Sequence, residues 1–270
     1  MARAAAFFDL DRTLISGASA FPLGIEAWRQ DLASNKEVVK WALAALSFKA
    51  MGDKGNTVSD DVRSDFLTHI AGTPVENLEA VTSLVVPRLV ARVRPESRKL
   101  ITMHHDHGRD TWIVSASPEQ IVQPLADDLG MTGAIGTRAE IVDGRYTGHL
   151  EGPFVYGAGK AQAVEKLASD RGYDLALCYA YSDSISDLPM MEIVGHPVAV
   201  NPDSELGSIA HERGWPVVIF AKKTKQALAF SGVGLGTAAA AAVAYLLGRR
   251  HGRSSTLAQM TIKKLGVGKQ

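Results

Sequence analysis

The sequence predicts an α/β protein built on a doubly wound parallel sheet, with a helical insertion and a candidate C-terminal transmembrane helix. Three observations carry this reading. Short apolar runs ending in polar residues recur along the chain, as buried parallel strands do. Helical stretches separate them, and strands alternating with helices give a parallel sheet with ligands at the carboxyl ends of its strands. One long segment, 18–92, breaks the alternation.

The first run is AAAFF at 4–8, closed by Asp9. Helical periodicity then fills 18–92, for example Trp28, Leu32, Val38, Val39, Leu43 and Leu46, with no strand pattern. We read it as an insertion after the first strand, with Trp28, Trp41, Phe48 and Phe66 in its core. A helix over 95–107 leads to a second strand at Thr111–Ser115, and a helix over 118–129 follows. The segment 133–155 holds Ile135, Ile141 and Tyr146 around Asp143-Gly144, which predicts a hairpin. A helix over 159–171 stops before Gly172, and 203–213 stops before Gly214. The remaining strands are expected at Ala176–Tyr181, His196–Asn201 and Pro216–Phe220. These assignments divide the chain into a core of 1–17 and 93–221, an insertion of 18–92 and a tail of 222–270.

Composition is that of an ordinary globular protein, with 46% apolar and 21% charged residues, which excludes disordered and collagenous chains. The single cysteine, Cys178, cannot form an internal bridge, so a reducing compartment is expected. The start, MARAAAFFDLD, is too poor in apolar residues for a signal peptide, which places the catalytic part in the cytoplasm. Net charge is zero, yet nine of the 29 Lys and Arg follow residue 221 and no Asp or Glu follows Glu212. The tail is therefore +9, and residues 1–221 carry 20 minus 29, or −9. Within the tail, 226–248 is a stretch of 23 residues without a charge. As a helix it would reach ~34 Å, enough for a hydrocarbon core. The expectation is a single-pass or tail-anchored protein of the cell membrane with a cytoplasmic catalytic domain, the alternative being a cytoplasmic protein. No basic-plus-aromatic pattern points to nucleic acid.

Polar groups gather at three of the strand ends. Asp9-Leu10-Asp11-Arg12-Thr13 closes the first run. An aspartate is a competent nucleophile toward phosphorus, and a second can serve as general acid and base. Ser115-Ala116-Ser117 closes the second run and could offer a hydroxyl and helix amides to a phosphate oxygen. Ser182-Asp183-Ser184-Ile185-Ser186-Asp187 follows the third, and its carboxylates would repel Asp9 unless a cation such as Mg²⁺ offset them. Lys160 opens a helix behind Gly157-Ala158-Gly159. Each piece alone reads equally as a turn, an N-cap serine or a surface lysine.

Together, Asp9-x-Asp11-x-Thr13, Ser115, Lys160 and Asp183-xxx-Asp187, in that order, resemble the haloacid dehalogenase superfamily of phosphatases. The hairpin and the string YSDSISDLPM resemble its phosphoserine-phosphatase-like branch, and 18–92 resembles its helical cap. The resemblance implies that Asp9 attacks phosphorus and that Asp11 protonates the leaving oxygen and then activates water. It implies that Thr13 holds the loop while Ser115 and Lys160 bind the phosphoryl group. Mg²⁺ would lie on Asp9, Asp183 and the carbonyl of Asp11, with Asp187 in support. The substrate would be a small or lipid-like phosphomonoester. A phosphomutase, or a regulatory protein keeping the fold, would share much of this set. P-type ATPases carry Thr where Asp11 stands. Phosphoserine phosphatases place a glutamate where this chain has Ala18, so phosphoserine loses its ammonium anchor.

His104-His105-Asp106-His107 also invites a metal or an acyltransferase reading, since His105 and Asp110 have HxxxxD spacing. Histidines suit a helix C-terminus, and an exposed helix end is the reading adopted here. Gly232-x-Gly234-x-Gly236 lacks the strand and the acidic residue of a dinucleotide loop.

Overall fold

The computed structural model describes residues 3–29, 67, 68 and 70–220. The insertion residues 30–66, with Trp41, Phe48 and Phe66, lie outside the described residues, as does the tail with its stretch 226–248. Trp28 falls within a described helix, but its side chain does not. Among the described residues no helix is long and apolar enough to cross a membrane.

Six parallel strands form the sheet: β1 (Ala5–Asp9), β2 (Asp110–Pro118), β3 (Gly133–Thr137), β6 (Tyr179–Ser182), β7 (His196–Val200) and β8 (Val217–Val218). Their order is β3-β2-β1-β6-β7-β8. The chain winds outward from β1 to β3 and then returns to the other side of β1. The order therefore reverses between β1 and β6, and such a switch point opens a crevice at the strands' carboxyl ends.

Both faces of the sheet are covered, which is why β1 is apolar and buried along its whole length. Ala6 and Phe8 join one core cluster with Ile113, Leu89 and Leu125. Ala5 and Phe7 join the other with Trp112, Val164 and Met190. The helices supplying those faces are α2 (Val75–Val90), α3 (Pro95–Asp106), α4 (Glu119–Asp128), α5 (Ala158–Arg171), α6 (Leu188–Glu192) and α7 (Ser204–Glu212). Asp203 caps α7 by accepting the Leu206 N–H at 2.8 Å. Gly172 ends α5 with φ +69°, the left-handed conformation glycine adopts cheaply.

The expected strand at 176–181 begins later, because Leu175–Leu177 form a 3₁₀ turn capped by Asp174. The last strand is shorter than its apolar run, and Ile219 is left exposed. A larger correction concerns 133–155. Its first part is β3, a sixth strand of the main sheet, and only β4 (Ala139–Val142) and β5 (Arg145–Leu150) form the hairpin. Gly133 and Gly136 weakened the strand pattern; both are needed there. A β-carbon at Gly133 would come within 2.6 Å of the Trp112 ring, and one at Gly136 within 2.5 Å of the Glu119 backbone.

The described parts of the insertion are helical, as expected: α1 (Ala20–Arg29) and α2. The hairpin bonds to the far end of the insertion. Gly72 N donates to Tyr146 O, Tyr146 N to Thr73 O and Val75 N to Gly144 O. Leu67, Leu78, Ala139 and Tyr146 bury a small cluster of their own there. Inside the insertion Glu26 of α1 is buried and receives Arg88 of α2 at 3.0 Å and Arg29 at 3.3 Å.

Candidate active site

Asp9 is the last residue of β1, at the switch point, and it is buried. Lys160 lies in the first turn of α5 and is only 3% exposed. Its Nζ donates to Asp9 Oδ1 at 2.6 Å and to Asp187 Oδ2 at 2.8 Å. The Ser182 hydroxyl donates to the same Asp187 oxygen at 2.6 Å. Gly159 lets α5 start here: a β-carbon would stand 1.9 Å from the Phe154 carbonyl oxygen. The neighbour crowding Gly159 is the chain's own backbone.

After β1 the chain makes a tight turn over Leu10–Leu14, closed by Ile15 N donating to Leu10 O at 3.0 Å. Arg12 sits in that turn at φ +61°, with its N–H bonded to Gly17 O. Its Nε lies 2.6 Å from Asp183 Oδ2. Thr13 donates its hydroxyl to Asp183 Oδ1 at 3.5 Å, while its carbonyl accepts the Ser97 hydroxyl at 3.1 Å. The Asp183 carbonyl accepts Asp203 N, and Ile185 N donates to Asp203 Oδ2. Two chain segments thus pin the loop carrying Asp183.

Asp11 is held on the other side. Ser19 donates its backbone N–H to Oδ1 at 2.7 Å and its hydroxyl to Oδ2 at 3.1 Å. The Ser19 and Ser117 hydroxyls are 2.9 Å apart. Ser115 is buried within β2, and its Oγ accepts Ser117 N at 3.1 Å. It is therefore not the N-cap of α4, whose capping residue is Pro118.

The structure thus gathers every expected residue at one end of the sheet, in three bonded groups. Asp9, Lys160 and Asp187 form one, and Asp183 with Thr13 forms the second. Asp11 and Ser115 form the third, joined through Ser19 and Ser117. Arg12, Ser19 and Ser117 are the partners that sequence reasoning missed. Arg12 stood inside the motif, and a non-glycine residue in a tight turn was its only signal. Ser117 stood in the same strand-end string as Ser115, and Ser19 gave none.

Four carboxylates face two cations here, a net charge of −2 when all are ionised. Burial pushes the Asp9 carboxyl upward; Lys160 pulls it down, and Asp187 and Asp11 push it up again. Burial likewise raises Asp11, against the two Ser19 hydrogen bonds. Asp183 is raised by burial and then by the charge of Asp9, with Arg12 opposing. Burial alone would lower Lys160, but Asp187 and Asp9 outweigh it and keep it a cation.

The resemblance implies one cation on the carboxylates of Asp9 and Asp183 and the backbone carbonyl of Asp11. Among the described residues no three His, Cys, Asp or Glu side chains converge as a metal site. The Asp11 carboxylate is turned to Ser19. Two buried carboxylates, of Asp9 and Asp183, are close enough to affect one another, and the implied third donor is the Asp11 backbone carbonyl. That is a hard, all-oxygen donor set, and the Asp183 carboxyl in it is raised by burial first and then by the charge of Asp9. These donors fit Mg²⁺.

The reading of the histidine run as an exposed helix end holds for His105, Asp106 and His107 and is corrected at His104. His104 is fully buried, not part of an exposed helix end. Its Nδ1 accepts Arg109 Nε at 2.7 Å, so Nε2 must carry the proton and donate to the Tyr181 hydroxyl at 2.8 Å. His105 bonds Thr111, and His107 bonds the Met103 carbonyl.

The family model for haloacid dehalogenase-like hydrolase matches residues 6–192. The chain is 39% identical over 253 residues to a phosphoserine phosphatase of Mycobacterium tuberculosis, covering 93% of this chain and 82% of that one. It is 36% identical over 222 residues to a histidinol-phosphatase of Neisseria meningitidis, covering 80% and 98% respectively. A solved structure from Bordetella pertussis, of unknown function, aligns with a TM-score of 0.69 at 26% identity, over 81% of this chain and 99% of that one. The chain belongs to the haloacid dehalogenase-like hydrolases and is a phosphatase of their phosphoserine-phosphatase-like branch.

Proposed function

We propose that this member of the haloacid dehalogenase-like hydrolases is a Mg²⁺-dependent phosphomonoesterase working through an aspartyl-phosphate on Asp9. The observation that carries this reading is the buried Lys160 held between Asp9 and Asp187 at the mouth of the switch-point crevice. A carboxylate that attacks phosphorus needs a fixed cation beside the phosphoryl oxygens.

In the first half-reaction an Asp9 oxygen bonds to phosphorus as the bond to the ester oxygen breaks. Asp11 gives its proton to that leaving oxygen, a role its upward-shifted carboxyl favours. In the second, Asp11 takes a proton from water, and the water oxygen displaces the Asp9 carboxylate from phosphorus. Lys160 and Ser115 hold the phosphoryl oxygens, Thr13 keeps the turn in place, and Asp187 holds Lys160. Bound by Asp9, Asp183 and the Asp11 carbonyl, Mg²⁺ would supply further neutralisation of the phosphoryl charge.

For the substrate we propose a small phosphomonoester. The two named relatives are a phosphoserine and a histidinol phosphatase, and both of those substrates carry an amine beside the phosphorylated alcohol. Ala18 offers such an amine no charge in this chain. For the tail we propose membrane attachment through 226–248, on its length and lack of charge. The test is a panel of phosphomonoesters, phosphoserine, histidinol phosphate and lipid phosphates included, assayed with wild type and Asp9→Asn in Mg²⁺. Turnover of one ester by wild type alone is the expected result. Equal rates in Asp9→Asn would remove the aspartyl-phosphate, and phosphoserine as the best ester would overturn the reading of Ala18.

A further inference from the structure

The two cations at the site differ in their freedom to leave. Lys160 is buried and held by two carboxylates. Arg12 has one partner there, the buried Asp183, and its own side chain is 45% exposed. Its guanidinium can therefore turn into solvent by giving up that ion pair. The residue holds this position at φ +61°, where a side chain costs roughly 1–2 kcal/mol that a glycine would avoid.

We propose that Arg12 is a built-in competitor for the divalent cation: its guanidinium occupies the Asp183 carboxylate and must swing out before the cation can take that oxygen. The inference rests on the metal reading above. It adds that metal uptake is an exchange of one cation for another, with Arg12 setting the Mg²⁺ concentration at which the site fills. The pairing at 2.6 Å is on Oδ2, and Oδ1 meets only the Thr13 hydroxyl at 3.5 Å. The Asp183 backbone carbonyl is taken by Asp203. Arg12 is thus the strongest partner the Asp183 carboxylate has among the described residues. A hydrogen bond to a charged group contributes about 1.5–3 kcal/mol when sheltered, and exposure of the guanidinium places this one at or below the low end. Removing it should tighten Mg²⁺ binding about tenfold.

The experiment is isothermal titration of the full-length protein with MgCl₂ alone, comparing wild type, Arg12→Gln, Arg12→Gly and Asp183→Asn. Gln keeps the backbone cost of the left-handed turn, and Gly relieves it, so agreement between them assigns the effect to the guanidinium. Both should bind Mg²⁺ about tenfold more tightly than wild type, while Asp183→Asn binds far more weakly. Raising NaCl should narrow the gap between wild type and Arg12→Gln, because salt screens the exposed pair. Equal or weaker binding in both Arg12 variants would overturn the proposal and make Arg12 a residue that orients Asp183. Undiminished binding in Asp183→Asn would overturn it by placing the cation elsewhere. If wild type takes up no Mg²⁺ at millimolar concentration, the metal reading itself falls, and this inference with it.

Discussion

Lowering the pH should expose how much the buried His104 contributes. Its two ring nitrogens are committed, one accepting from Arg109 and one donating to Tyr181. A second proton would turn the Arg109 contact into a clash of like charges. Burial first, then the charges of Arg109, His107 and His105, depress its pKa from 6.5 to about 4. The unfolded chain therefore takes up a proton near pH 6.5 that the folded chain refuses until about pH 4. For a base with a lowered folded pKa, stability is lost as pH falls through that window and is flat below it. The slope is ~1.4 kcal/mol per pH unit and the full span ~3 kcal/mol, a large share of the ~5–15 kcal/mol of a typical domain. Asp9 and Asp183, raised by burial, act in the opposite direction. The measurement must therefore be a difference. Urea unfolding of wild type and His104→Gln in chelator at pH 7, 6, 5 and 4.5 supplies it. The gap in unfolding free energy should shift by ~1.4 kcal/mol per unit below pH 6.5, in favour of the variant. Parallel curves would refute the argument that His104 is held neutral.

Three further outcomes can be checked. Lys160→Met leaves Asp9 and Asp187 buried without their shared cation. It should abolish turnover and destabilise the fold by about 3–5 kcal/mol in chelator, read by urea midpoint. Ser19→Ala keeps the backbone bond to Asp11 but loses the hydroxyl bond at 3.1 Å. It should lower kcat about tenfold with KM little changed, since Asp11 is needed in both half-reactions; an unchanged kcat would show that the hydroxyl does not position Asp11. The full-length protein should sediment with membranes and resist about 1 M salt, and its release by salt alone would leave only an electrostatic attachment.

The architecture was legible because the parallel strands are covered on both faces and so read as apolar runs that stop at polar residues. β3 escaped because two of its five residues are glycines, demanded by the Trp112 ring and by the start of α4. Its neighbours then lent it to the hairpin. The site's acids, its lysine and Ser115 were legible as spacings. What binds them was not: Ser19 reaches Asp11 from eight residues on, and Ser117 reaches Ser19 across 98. His104 misled for a related reason. A polar residue at a helix end looks exposed until the aromatic floor of Phe8, Tyr179 and Tyr181 is known to lie beneath it.

The bonding of the hairpin to residues 72–75 has a consequence for how the chain matures. The apolar side chains of Leu67 and Leu78 find Ala139 and Tyr146 only after the chain has passed through α3, β2, α4 and β3. At ~5–20 residues per second of synthesis, the far end of the insertion waits several seconds on the ribosome for that covering. During that interval the nascent polypeptide carries an unshielded greasy patch, the kind of surface that holdase chaperones grip.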